Sequence, residues 1–204
     1  MTTTVDLGPA ARRMARLVEG TPDDALDWPT PCADYAVADL LDHISGATLA
    51  FEAAARKQPL EGGPSGNGAN LAPDWRASIP RQLAELADAW RDPAAWRGTT
   101  AAGGVELPGE VAGVVALDEL VIHGWDLAKA TGQPADYVGP GLDTVLEMVR
   151  QFRMGGIEGL FGPEVPVSAD APLLDRILGL AGRDPRWQPP RSLPTSRLRV
   201  GVDE

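Results

Sequence analysis

A chain of 204 residues with 44% hydrophobic content is long enough to build one core without covalent staples. Lys plus Arg number 18 against 29 Asp plus Glu, a net charge of -11, and so acidic a surface repels phosphate backbones and anionic lipid headgroups, which argues against nucleic acid or a membrane as partner. Cys32 is the single cysteine, which rules out an internal disulfide, a four-cysteine zinc site and a CxxC redox pair, so any metal must be held mainly by His and carboxylate.

Residues Met1 to Leu7 lack the basic and apolar regions of a secretory signal, and no run approaches the roughly 18 apolar residues of a membrane span, so a cytoplasmic protein is expected. Helical periodicity begins at Ala10 to Val18, with Met14, Leu17 and Val18 on one face. It resumes from Val37 to Arg56, where Leu40, Leu41, Ile44, Ala47 and Phe51 repeat at helical spacing. The stretch Glu61 to Asn70 (EGGPSGNGAN) is too poor in apolar residues to offset its backbone entropy, and a mobile loop is expected there. A third helix fits Ile79 to Trp90, with Pro80 implying a kink or a start at that point. Short extended pieces are expected at Thr99 to Leu107 and Val165 to Val167. The strongest helix runs from Glu110 to about Ala130, between Pro108-Gly109 and the stop Thr131-Gly132. Leu142 to Phe152 and Leu173 to Leu180 supply two more, the last ending before a GRDP turn. The fold class is therefore mainly α, a helical bundle with short extra strands and a small C-terminal helical extension. Its expected extent is residues 1–187, followed by a Pro-rich, flexible tail at 188–204.

The chain contains two histidines, and each interrupts an apolar helical face. On the second helix the stripe reads Ala36, Leu40, His43, Ala47, Ala50; on the long helix Glu119, His123 and Asp126 interrupt a stripe of Ala112, Val115, Ala116, Ile122 and Ala130. Glu119 and His123 are one turn apart and project side by side. A carboxylate buried without a partner costs several kcal/mol, so Glu119 requires a cation, a protonated imidazole or its own proton. A divalent metal shared by His43, Glu119 and His123 meets that requirement, and three protein ligands leave a coordination position open, as catalytic sites do. Asp126, close to one turn beyond His123, is placed to orient that imidazole or to act as a base. A satisfied core histidine and a solvated carboxylate are the plainer alternatives for His43 and Asp126.

Three ordered motifs carry a family resemblance: TPCADYAVADLLDH (Thr30 to His43), LDELVIHGWDLAKATG (Leu117 to Gly132) and FGPEVPVSADAPLLDRILGLAGRDPRW (Phe161 to Trp187). Together they resemble actinobacterial metal-binding proteins of the DinB-like superfamily, relatives of the N-terminal domain of mycothiol-dependent maleylpyruvate isomerase. The resemblance implies an up-down-down-up four-helix bundle that binds a divalent metal, zinc first and nickel second, with His43, Glu119 and His123 matching the family's ligands. Tyr35 stands in place of a Trp, and Ala36 in place of a capping Thr or Asn, which predicts a weaker start to the second helix. The isomerase carries a separate C-terminal domain, whereas about fifty residues follow the bundle here.

The chemistry implied by the wider superfamily is transfer or isomerisation using a low-molecular-weight thiol, mycothiol, with an electrophilic small molecule as the second substrate. A bound cation holds a thiol as thiolate at neutral pH, and the thiolate is the nucleophile. Cys32 is read as a packing residue, because a buried thiol behaves as a small hydrophobe. Two other functions use the same bundle: a non-catalytic metal or small-molecule binding protein, and a non-haem iron oxygenase with His43, Glu119 and His123 as a facial triad. A homodimer is among the assemblies this reading allows.

Overall fold

The computed structural model describes residues 4–63, 66–155 and 161–190. Among the described residues there are six α-helices: α1 Gly8–Glu19, α2 Val37–Ala55, α3 Trp75–Ala89, α4 Gly109–Thr131, α5 Leu142–Met154 and α6 Leu173–Leu180. The strands are β1 Thr99–Ala102 and β2 Val105–Pro108, paired antiparallel with Ala102 opposite Val105. Gly103 and Gly104 both take positive φ, 59° and 78°, as a two-residue hairpin turn of matching twist demands.

Around the bundle, α1 packs on α3 and α4, and α2 packs on the same two helices. End-to-end contacts fix the directions. Arg76 at the start of α3 donates to the Glu19 and Thr21 carbonyls (3.0 and 2.6 Å) beyond the end of α1, so α3 runs antiparallel to α1. Gln133, just past α4, donates to the Leu17 carbonyl (3.0 Å), so α4 ends where α1 ends and the two are parallel. Lys57, just past α2, donates to the Ala95 carbonyl (2.8 Å), which lies against the first residue of α4, so α2 and α4 are antiparallel. The result is the up-down-down-up order. Its parallel α2 to α3 connection must return along the bundle.

That return explains the glycine-rich segment. Its described part is docked rather than free, a correction to the expectation of a mobile loop: the Gly68 N–H reaches Asp39 Oδ1 (2.7 Å) and the Asn67 N–H reaches Asp42 Oδ2 (3.1 Å) at the start of α2. A single 3-10 turn, Gly68–Asn70, forms there.

The weak start expected of α2 is also corrected. Ala36 has no capping oxygen, but its N–H is accepted by Asp39 Oδ2 (3.0 Å), while the Val37 and Ala38 N–H groups are accepted by the Trp28 and Leu26 carbonyls. Those carbonyls come from the α1 to α2 crossover. Thr30 holds the crossover's tip, accepting from the Cys32 N–H (3.1 Å), with its own hydroxyl within reach of the Tyr35 and Cys32 carbonyls (2.8 and 3.0 Å).

Helix α3 begins at Trp75, five residues before Pro80, so the proline neither starts the helix nor stops it. The cost is one lost bond to the Arg76 carbonyl. Leu40, Leu41, Ile79, Leu83, Leu86, Leu117 and Leu127 are fully buried between the four helices, each contributing about 1.5–3 kcal/mol. α5 covers the outer side of α4 and packs in turn on α6. Enclosed on both sides, α4 buries Asp118, Trp125 and Asp126 as well as its apolar stripe. Val165 to Val167 form no strand; the chain lies against α6, with the Val165 N–H on the Gly179 carbonyl (2.9 Å). Most of the tail expected at 188–204 lies outside the described residues.

Because Thr30 serves two carbonyls and an N–H of the crossover, Thr30→Val should lower stability by about 1–3 kcal/mol. Urea unfolding of the variant measures it; a midpoint equal to wild type would show that the crossover is held by other contacts.

Candidate metal centre

His43 lies in the second turn of α2, and Glu119 and His123 lie one turn apart on the antiparallel α4. Packing of these helices brings His43 Nε2 to 3.1 Å from Glu119 Oε2 and His123 Nε2 to 3.4 Å from the same oxygen. One ligand atom from each residue lies within 4.8 Å of the others, a grouping that among the described residues can hold a metal ion. Bonds of about 2.0–2.1 Å at tetrahedral angles put ligand atoms roughly 3.3–3.4 Å apart. The two nitrogen–oxygen separations match that spacing, and a nitrogen, nitrogen, oxygen donor set suits a divalent ion. The residues present therefore fit a metal.

The imidazoles are held differently. His123 Nδ1 faces Asp126 Oδ2 at 3.0 Å, which makes that nitrogen an N–H donor and turns Nε2 toward Glu119. His43 Nδ1 is buried with no hydrogen-bond partner; its ring is held by packing, with the Tyr35 ring centroid at 5.5 Å and that of His123 at 4.7 Å.

Burial opposes ionisation of Glu119, but its contacts with His123 and His43 prevail and hold its carboxyl well below the usual carboxylate range. Burial likewise works against a charged His123, yet Asp126 and Glu119 raise it to about 9. Without metal the centre is an ion pair between Glu119 and a protonated His123, and a metal must displace that proton.

Sequence reasoning missed Arg183 and Asp118. Arg183 sits in the GRDP turn after α6 and places Nη2 at 3.1 Å from Asp126 Oδ2 and Nε at 3.4 Å from Oδ1. Burial lowers its affinity for the proton, but the Asp126 pair outweighs that and raises it. Asp118 is buried with Oδ1 unpartnered, and burial, reinforced by Glu119, pushes its carboxyl up to about 8. It had no visible signal, because position 118 lies off the apolar stripe and reads as solvated. Asp118 and Arg183 share a cavity of about 50 Å³ with Glu119, His123, Phe152 and Phe161. Cys32 is half-buried; burial pushes its thiol up to about 11, with Arg183 opposing and Asp126 adding to the effect.

The profile of the mycothiol maleylpyruvate isomerase N-terminal domain family matches residues 7–128, and the chain belongs to that family. An uncharacterized protein of Mycobacterium tuberculosis, found in strains CDC 1551 / Oshkosh and ATCC 25618 / H37Rv, is 28% identical over 182 residues, covering 84% of this chain and 92% of that one. The crystal structure of the mycothiol-dependent maleylpyruvate isomerase superposes with a TM-score of 0.55 at 18% identity, covering 70% of this chain. The aligned region spans 65% of that isomerase chain, and the likeness shows the shared helical fold. Among the described residues no helix is long and apolar enough to cross a membrane.

Two pH effects follow. In metal-free protein, the extra stability from the His123 proton is fully present below its ordinary value of 6.5 and is lost as pH rises through about 9. Asp118, raised from 3.8 to about 8, acts in the same direction over its own range. Stability of the chelated protein should therefore fall from pH 6.5 to pH 9; a flat series of urea midpoints would show that His123 binds no extra proton. For Cys32, a rise from 9.0 to about 11 leaves roughly a hundredfold less thiolate at neutral pH. Iodoacetamide should label the native chain correspondingly more slowly than the unfolded one, and equal rates would refute the shift.

Proposed function

We propose that this chain is a divalent-metal enzyme that transfers or isomerises through a low-molecular-weight thiol, with His43, Glu119 and His123 as its ligands and residues 1–187 as one metal-binding domain. The observation that carries the reading is the convergence of two Nε2 atoms on one oxygen of the half-buried Glu119 carboxylate, 3.1 and 3.4 Å away. A divalent cation there, zinc first and nickel second, supplies the positive charge that keeps a thiol ionised at neutral pH. Two neutral imidazoles and one carboxylate offset only one of its two charges, so an anionic partner is favoured. Mycothiol is the proposed thiol, supported by the family and by the mycothiol dependence of the isomerase whose fold this chain shares.

The chain's own residues divide the remaining work. Asp126 holds the proton on His123 Nδ1, leaving Nε2 free to ligate. Both Asp126 oxygens are engaged and the side chain is fully buried, which supports the steering role over that of a base for the thiol. Cys32, kept protonated, does not compete as a nucleophile. Phe152 and Phe161 line the adjoining cavity and give it an apolar wall beside the polar groups of the centre. Its volume of about 50 Å³ is small for a second substrate, which favours the non-catalytic binding reading if no turnover is found. A cytoplasmic location and a homodimer are proposed with this function.

Metal analysis and mass spectrometry test the reading. Purified protein should take up zinc or nickel, and His43→Ala and Glu119→Gln should each weaken zinc binding by more than the roughly 10–100-fold typical of losing a residue behind a ligand. Incubation of the loaded protein with mycothiol and a panel of electrophiles should yield a thiol adduct or isomer. Turnover that survives removal of the metal refutes the mechanism, iron in place of zinc favours the oxygenase, and metal uptake without thiol-dependent turnover leaves the binding protein.

A further inference from the structure

The geometry points to Arg183 as a positioning residue of the metal centre: through the Asp126 carboxylate it fixes the His123 imidazole in its ligating orientation, so the centre is complete only when the C-terminal segment is docked. This rests on the metal reading of His43, Glu119 and His123. The family profile ends at residue 128, so Arg183 lies in a part of the chain that the profile does not describe.

Asp126 is fully buried on α4, and once a metal has displaced the extra proton of His123 its carboxylate would face a neutral imidazole and be under-compensated. Arg183 supplies the missing charge as a two-point clamp, Nη2 to Oδ2 at 3.1 Å and Nε to Oδ1 at 3.4 Å. The clamp sets the plane of the carboxylate. Oδ2 is then the atom that meets His123 Nδ1 at 3.0 Å, which fixes both the ring orientation and the nitrogen that carries the proton. Arg183 is itself anchored, because its Nη1 donates to the Ala181 carbonyl at 3.1 Å.

The local sequence is built to throw Arg183 inward. Helix α6 ends in a paired arrangement in which the Gly182 N–H meets the Gly179 carbonyl (3.1 Å) and the Arg183 N–H meets the Leu178 carbonyl (2.8 Å). That ending needs a left-handed residue, and Gly182 has φ of 81°. A Cβ at 182 would also stand 2.8 Å from Gly162, so the space admits only glycine without a shift. The Gly182-Arg183 pair is thus a helix stop that delivers a guanidinium to a carboxylate 57 positions earlier in the chain.

The test uses the full chain. Zinc affinity, read by chelator competition, should fall roughly 10–100-fold in Arg183→Met, the range seen when a residue behind a ligand is removed. Arg183→Lys keeps the charge but not the two-point fork, and should fall between Arg183→Met and wild type. Asp126→Asn combined with Arg183→Met should be no weaker than the weaker single variant, because the two act as one unit; a product of the two losses would indicate independent, merely structural roles and overturn the proposal. In metal-free protein, the hydrogen-bonded His123 Nδ1–H proton should give a downfield NMR resonance that is lost in Arg183→Met while helical circular dichroism is retained. A folded Arg183→Met with wild-type zinc affinity and an unaltered Nδ1–H resonance would overturn the inference. If Arg183→Met does not fold, Arg183→Lys decides it, since an affinity equal to wild type excludes the clamp. Should the wild-type chain take up no zinc, the metal reading fails by itself, and the Nδ1–H resonance still decides whether Arg183 acts on His123.

Discussion

Buried negative charge on α4 is the constraint on which the rest of this structure depends. One helix carries Asp118 and Asp126 to full burial, and Glu119 to half-burial, in the space between α1 and α2 on one side and α5 on the other. Each carboxylate removed from water must find a compensating group or keep its proton. Glu119 meets two imidazoles, Asp126 meets an imidazole and a guanidinium, and Asp118, which meets neither, is pushed toward its neutral form. Three different answers to one electrostatic demand therefore lie within about two turns of helix.

The topology makes those answers available. Antiparallel packing of α2 on α4 sets the second turn of α2 beside the later half of α4, which brings His43 to Glu119 and His123. The α1 to α2 crossover caps α2 with the Trp28 and Leu26 carbonyls and places Tyr35 against the His43 ring. A weak side-chain cap at Ala36 thus costs little, because backbone carbonyls and Asp39 do the same task. The C-terminal segment closes the arrangement from the other side, with Phe161 lining the cavity and Arg183 clamping Asp126.

The same charge pattern links the centre to chemistry. A carboxylate paired with a protonated imidazole is a site poised to exchange that proton for a cation, since metal and proton compete for the same lone pair. Under the proposed function, a thiolate is the anionic partner of such a cation. The half-buried Cys32 is a poor candidate for that role, because burial among carboxylates disfavours its thiolate.

Much of this is readable from local pattern alone. Apolar periodicity locates the helices to within a few residues, and the extended piece at Thr99 to Leu107 is visible ahead of the long helix, because these patterns are local and period-driven. His43, Glu119, His123 and Asp126 stand out for the same reason, as ionisable groups on faces that otherwise have to be buried. What the sequence could not supply is everything that depends on a second element. Asp118 lies off the apolar stripe of α4 and is buried only because α5 covers that side; Arg183 has no periodic signal, and its partner is 57 positions away. The glycine-rich loop looks unstructured because its anchors, Asp39 and Asp42, belong to another helix. Local patterning determines which residues want to be buried and where helices stop, whereas the pairing of buried charges is long-range and is decided only when the helices, crossovers and C-terminal turn come together.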